Sequence, residues 1–486
     1  MAGLFGVSID PKIHKIGLGE DLFWGVFYHQ HLGEQFAGLA SWDQDRRHMV
    51  IRTARGLLRP NFDGRMKIFR GREGIGCCGS ARQPFRFGSK FGIISLAITG
   101  NILNFRELIQ KFNSQPGQTF EHYDETEVAA KLIAEGKNII DGLCNLARSI
   151  KGAISLLLLT QDGIYGFYGP DGHWPLMIGE KNGAVAIASE SAGFYNTGFK
   201  VSRDLKPGEI FLLRNGNVKF LQKVDAPNPK ICSFLWVYTN FVASVVRDIP
   251  STCVRMRLGS ALARKDIQKG FIPHVVFPIP DSGRFHALGY YWEFIKQLML
   301  GKIGRAPIYF ELLAKYPYAG RSFTPQTKEE RDREARAKIL PSGEDLEGFI
   351  LEYFAGLEKA RTLEKTMDLV RPEDLDAVGC EDSIVRGTQL LGNFVPKLIG
   401  MGIKRVHIRA SNPQLLSHCP WGQTTKKGEV IALRIPDLEE RAKYLGLASL
   451  AYNTIGDLIR AIGLPEEELC MDCARSGGFE DDKVVT

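Results

Sequence analysis

The stretch Ala377-Val378-Gly379-Cys380-Glu381-Asp382-Ser383-Ile384-Val385-Arg386-Gly387-Thr388 constrains the fold of this chain more than any other. An apolar run of strand character ends on two adjacent carboxylates. A short loop of Ser, Gly and Thr follows, and a helical pattern then runs over 389–401. In open α/β sheets ligands bind where strands end. The free N–H groups that open the next helix take phosphate. Hydroxyls at Ser383 and Thr388 add hydrogen bonds, and Gly387 lets the backbone come close. Glu381 and Asp382 repel phosphate, so they suit the hydroxyls of a ribose or a metal ion held near them. A sugar phosphate satisfies both ends of the loop. The plain alternative is a strand–turn–helix with a solvated acidic pair; the pair alone favours it and the full string does not.

The surroundings of this loop read as a parallel sheet. Strand-like 275–279 leads through a polar loop into a helical segment over 287–300, 376–379 leads into 389–401, and 406–408 is a further strand. Strands joined through helices imply right-handed crossovers. The chain before about residue 225 has another texture, with apolar runs of strand length at 93–98 and 153–159. Turns fall at Asp162-Gly163 and Asn182-Gly183, and 126–134 has an apolar helical face behind an acidic first turn. This part is a layered α/β or α+β arrangement. The chain's 486 residues exceed one hydrophobic core. The proline-rich polar run Asp225-Ala226-Pro227-Asn228-Pro229-Lys230 divides domains expected at 1–225 and 231–486. Residues 326–375 are highly charged and read as helical.

Charge excludes some partners. A formal charge of +7, with no long Lys/Arg run, suits a small anionic substrate and gives no basis for nucleic-acid binding. No signal peptide and no apolar span long enough for a bilayer is visible, so a cytoplasmic protein without a membrane partner is expected. Nine cysteines in such a setting argue against a disulfide framework. One pair, Cys470-Met471-Asp472-Cys473, has C-x-x-C spacing, which fits a redox dithiol, half a zinc site or half an iron–sulfur site.

The 377–388 string is very similar to the phosphoribosyl pyrophosphate (PRPP) signature of type I phosphoribosyltransferases. Phe277-Pro278-Ile279-Pro280-Asp281-Ser282-Gly283-Arg284 resembles the strand and loop that hold pyrophosphate in the glutamine PRPP amidotransferase family. Tyr318-Ala319-Gly320-Arg321-Ser322-Phe323-Thr324-Pro325, with Arg336 and Lys338 after it, resembles that family's loop that closes over PRPP. The resemblance covers nearly the whole chain. It implies an N-terminal αββα domain of the N-terminal-nucleophile (Ntn) hydrolase, glutaminase type and a C-terminal type I phosphoribosyltransferase domain with a parallel sheet. It further implies that Glu381 and Asp382 hold the ribose hydroxyls and, with Ser282, Mg²⁺. Ser383, Ile384, Val385, Arg386, Gly387 and Thr388 would hold the 5′-phosphate, and Asp281, Ser282, Arg321 and Lys338 would serve Mg²⁺ and pyrophosphate. Cys232 and Cys419 align with cluster cysteines of the iron–sulfur subgroup, so with Cys470 and Cys473 they imply a structural [4Fe–4S] cluster. The same four thiolates also fit Zn²⁺. Cys77, Cys78, Cys144, Cys253 and Cys380 have no such match and read as core residues.

The N-terminal part resembles the family's glutaminase domain but departs from it where the chemistry lies. The nucleophilic cysteine position is Ala2, which has no nucleophile. Gly79 stands for the arginine that holds the glutamine carboxylate, Thr99 for the oxyanion asparagine, and Glu125 for the aspartate that grips the amine. The family's His-Arg-Gly-Gln reads His31-Leu32-Gly33-Glu34, and its Arg-Pro-Asp-Ser, near the ammonia channel, reads Phe241-Val242-Ala243-Ser244. The expectation is a folded but inactive glutaminase domain on a transferase that makes 5-phosphoribosylamine from PRPP and ammonia. The ammonia would come from solution or a separate glutaminase, and a homo-oligomer is implied. The rivals are a non-catalytic PRPP or nucleotide sensor and a transferase with another amine acceptor.

Overall fold

The computed structural model describes residues 2–317, 339–343, 350, 375–422 and 427–476. Layering in the N-terminal half follows from its first strand, Ala2–Ile9, which is buried along its whole length. Successive strand residues point to opposite faces. Phe5, Val7 and Ile9 meet Leu22, Phe23 and Val26 of the helix Leu18–Phe27. Ala2 and Leu4 turn the other way, into a core with Leu157, Leu159 and Ile164 of a second sheet. The first sheet has seven antiparallel strands with Ala2–Ile9 between Ala184–Ala188 and Glu73–Gly79. The second has six, centred on Gly152–Thr160 and its neighbours Gly92–Ile102 and Gly163–Tyr168. Its far face is covered by the helices Glu125–Glu135 and Ile139–Ser149 through Val128, Leu132, Leu143 and Leu146. The result is helix, sheet, sheet, helix, the αββα arrangement of an Ntn hydrolase. Each fully buried Leu or Phe in these layers contributes roughly 1.5–3 kcal/mol.

The C-terminal sheet is parallel throughout, in the order Ile308–Tyr309, Val275–Pro278, Asp376–Glu381, Arg405–Pro413, Ser449–Asn453. The helices Ser251–Gln268 and Arg284–Met299 pack on one face. A second core, including Phe277, Ile384, Leu390, Phe394 and Leu398, fills the other. Beneath the sheet Arg409 makes a two-point ion pair with Asp266 at 2.6 and 3.1 Å, and the Tyr290 hydroxyl donates to the same carboxylate at 2.6 Å. This buried pair joins strand to helices next to Cys380, the residue before the acidic pair.

Three expectations change in detail. The strand before the acidic pair reaches Glu381 rather than ending at Gly379. The helix expected over 389–401 opens with a π-helical turn, Leu390–Phe394, before the α-helix Val395–Gly400. Cys253 is not a core residue; it lies on the solvent side of its helix, whose buried face carries Val254 and Leu258. The charged region 326–375 falls almost entirely outside the described residues. Among the described residues no helix is long and apolar enough to cross a membrane.

The helix Ile455–Ile462 shows how the C-terminal segment is held. Thr454 and Asp457 form a reciprocal capping box, and Asp457 also takes hydrogen bonds from Lys265 and from Arg460, the latter at 2.6 Å. Burial disfavours the charged carboxylate, but the bonds from Lys265 and Thr454 outweigh it and hold its pKa below the usual range. The stabilisation is therefore present above the unfolded pKa of about 3.9 and is lost as pH falls through the lower folded value. Asp457→Asn should cost about 1–2 kcal/mol in urea melts at neutral pH. That difference should shrink on acidification; a difference independent of pH would mean that the charge is not what stabilises.

Candidate functional site

The loop after Asp376–Glu381 emerges at the C-terminal edge of the parallel sheet, beside the loop after Val275–Pro278. The Ile279 amide donates to the Cys380 carbonyl at 2.9 Å, and a Cβ on Gly283 would lie 2.2 Å from that oxygen. Only glycine lets the two loops close to this distance. Asp281, Ser282, Glu381 and Asp382 therefore share one edge of the sheet.

Within the acidic loop the residues divide by role. Ile384 is buried in the core and Val385 packs against the Leu415–Val430 cluster, so their side chains anchor the loop and only their backbone can face a ligand. The Val385 carbonyl accepts from the Ile431 amide at 2.8 Å. Arg386 pairs with Glu429 at 2.5 Å. Asp382 is 5% exposed, accepts the Ser383 hydroxyl at 2.7 Å, and its carbonyl takes the Asn412 amide at 2.7 Å. Gly387 has φ +75, and a Cβ there would meet Ile431 and Leu445 at 2.8 Å, so glycine is required twice over. Thr388 is exposed at the entry to the helical turn.

Two cations near Asp281 were not singled out from sequence. Lys315 Nζ lies 3.0 Å from its carboxylate and Arg284 3.6 Å, and Arg284 also reaches Glu311 at 3.1 Å. Arg284 sits inside the recognised loop motif, but Lys315 comes from a strand, Leu313–Lys315, with no local signal of its role. Arg321, Arg336 and Lys338 lie outside the described residues.

The three segments that carry the four expected cysteines lie side by side. Ile231–Cys232 and Leu469–Cys470 form a short parallel pair with Cys232 opposite Cys470. The amides of Leu416 and Ser417 donate to the Cys473 carbonyl at 2.8 and 3.1 Å, which brings the Cys419 segment alongside. Burial pushes the thiols of Cys232, Cys470 and Cys473 well up, and each is raised further by neighbouring cysteines, Cys419 among them. Among the described residues no three His, Cys, Asp or Glu side chains are grouped closely enough to hold a single metal ion.

In the N-terminal half three of the altered positions meet. Ala2 is opposite Gly79 in the sheet, and its amide donates to Thr99 Oγ1 at 3.0 Å. Ala2 and Thr99 are both 3% exposed. Glu125 accepts the Ile102 amide, three residues beyond Thr99, and burial raises its carboxyl above the ordinary range. His31 faces elsewhere. It pairs with Glu190, which is 1% exposed and also takes the Phe241 amide at 3.0 Å, and its ring lies 5.5 Å from that of Phe241. His31 and Phe241 thus meet at the seam between the two halves.

Residues 74–196 match a glutamine amidotransferase domain. Along nearly its whole length the chain is similar to amidophosphoribosyltransferases. It is 29% identical over 508 residues to that of Methanocaldococcus jannaschii, covering 97% of this chain and 96% of the relative. It is 28% identical over 455 residues to that of Archaeoglobus fulgidus, covering 90% of each. The fold matches a solved glutamine PRPP amidotransferase from B. subtilis, complexed with ADP and GMP, with a TM-score of 0.79 at 25% identity, covering 99% of this chain and 98% of that one.

Proposed function

We infer that this chain is an amidophosphoribosyltransferase-family enzyme of purine biosynthesis that transfers the phosphoribosyl group of PRPP to ammonia and has no glutaminase of its own. The observation that carries this reading is the paired carboxylates of Glu381 and Asp382 at a parallel-sheet edge, beside the Asp281–Ser282 loop and ahead of a Ser/Gly/Thr phosphate loop. In the reaction the ammonia nitrogen forms a bond to C1 as the C1–O bond to pyrophosphate breaks. The nitrogen then sheds a proton, and 5-phosphoribosylamine and pyrophosphate leave. Positive charge grows at C1, where Glu381 and Asp382 stabilise it while holding the ribose hydroxyls. Backbone amides over 383–388 and the Ser383 and Thr388 hydroxyls take the 5′-phosphate. Positioning carries the remaining rate enhancement. The oxygen donors of Ser282, Glu381 and Asp382 suit Mg²⁺, a hard cation that would neutralise pyrophosphate charge. Arg321 and Lys338 are assigned to pyrophosphate by the resemblance, and Arg284 and Lys315 supply positive charge at the same edge.

The scaffold of the amidotransferase domain is retained and its chemistry is not. The 74–196 match does not reach position 2, where a methyl group replaces the thiol. Thr99 receives a backbone amide, and Gly79 has no cation for a substrate carboxylate. Ammonia therefore comes from solution or a separate glutaminase. The four cysteines supply the ligand set of a [4Fe–4S] cluster, whose iron would draw these buried thiols into the thiolate form and offset their charge. The cluster would tie the linker region, the Cys419 segment and the C-terminal segment into one unit. Metal analysis of anaerobically purified protein tests this assignment, and one zinc with no iron would overturn it.

Incubation with PRPP, Mg²⁺ and ammonium chloride should release pyrophosphate, and glutamine in place of ammonium should release none. Turnover with glutamine would refute the loss of glutaminase. PRPP binding without turnover under either condition would make the protein a sensor rather than a transferase.

A further inference from the structure

The Cys419 loop is held from two sides. On one side its amides at 416 and 417 bond the Cys473 carbonyl. On the other it meets the N-terminal half. Asn101 Nδ2 donates to the Pro420 carbonyl at 2.9 Å, and Trp174 Nε1 donates to the Trp421 carbonyl at 3.2 Å. The His173 ring lies 4.8 Å from that of Trp421, tilted by 40°. His173 Nε2 is buried with no hydrogen-bond partner among the described residues, and Nδ1 lies 3.5 Å from the Asp171 carboxylate, so Asp171 and Trp421 set this ring between them. Gly422 has φ +142 and fits flush on Trp174, where a Cβ would lie 2.7 Å from the indole. The strand carrying Cys232 is tied to the same region, with the Lys230 amide donating to the Asp171 carbonyl at 2.8 Å.

We propose that Asn101, His173 and Trp174 of the glutaminase-type domain form the outer wall of the four-cysteine site and set how readily Cys419 and any metal it holds are reached from solvent. This rests on the cluster reading for the identity of the metal, but the wall itself is a property of the chain. Cys419 is half-buried, and swinging its loop off that wall would open the thiol further to oxidant, chelator or alkylating agent. Such local opening is far less costly than unfolding, and its frequency follows from the few bonds that it breaks. The retained scaffold would then serve as a cover for the metal site of its neighbour, although its own hydrolytic centre is gone. Asn101 lies two residues past Thr99, which accepts the Ala2 amide, so the strand that reaches Ala2 also holds the loop.

The test compares the full chain with Asn101→Ala and with Trp174→Phe, which keeps an aromatic ring and removes the N–H donor together with the indole edge that faces Gly422. In anaerobically purified protein, iron release to a ferrous chelator and bleaching of the visible absorbance in air should each speed up about fivefold for one hydrogen bond lost. Starting iron content should be unchanged. In metal-free protein, alkylation of Cys419 followed by mass spectrometry should accelerate by a similar factor, with exposed Cys253 as the internal reference and buried Cys78 unreactive. Equal rates in parent and variants would overturn the proposal, as would a parallel rise at Cys78, which would report general loosening. If the parent holds no metal, the cluster reading fails, and Cys419 alkylation alone decides for or against the wall.

Discussion

Replacing Glu381 and Asp382 together by Gln and Asn should lower kcat/KM for PRPP by at least about 10³-fold, because one preorganised group facing developing charge is worth roughly 10²–10³ on its own. The change keeps shape and removes charge. Ser383 can still donate to the new amide oxygen, and Ile384 and Gly387 still seat the loop against Leu445 and Ile431. A loss of fold is therefore not the expected route to the defect, and thermal melts of parent and variant should nearly coincide. Calorimetry with PRPP and Mg²⁺ separates the two contributions of the pair. Weaker binding reports the ribose and metal contacts, and a lower kcat at saturation reports charge stabilisation at C1. An unchanged kcat/KM would remove the acidic pair from the site and with it the whole assignment of the C-terminal sheet.

The second large effect is on stability. Cys473→Ser should cost the protein its iron and about 4 kcal/mol of folding free energy, the contribution of a group present at a thousandfold excess over its dissociation constant. Cys473 is well placed for this. Its carbonyl holds the Cys419 segment, and its side chain packs with Leu415 and Val430, whose neighbour Ile431 pins the phosphate loop. Loss of the cluster would thus be felt at the transferase site and at the domain seam. Exposed Cys253, changed to Ser, should alter neither iron content nor the urea midpoint. If Cys473→Ser matched the Cys253 variant in both measurements, the four cysteines would be unrelated thiols.

Much of the transferase half was legible before any coordinates, because its chemistry is written in consecutive residues. Strand, acidic pair, loop glycine and helix start are local features, and local periodicity and backbone freedom dictate them. The acidic pair, the Asp281–Ser282 loop and the departures from the family pattern at Ala2, Gly79, Thr99 and Glu125 could all be read as a string. Tertiary structure decided what depends on partners far along the chain. It turned Ile384 and Val385 into anchors, gave Arg386 to Glu429, and brought Lys315 to Asp281 from a strand with no motif. It also placed Asn101 and Trp174 on the Cys419 loop, across separations of 319 and 247 residues. No pattern of neighbours encodes such contacts. They arise because buried polar groups must find partners wherever packing has brought the chain.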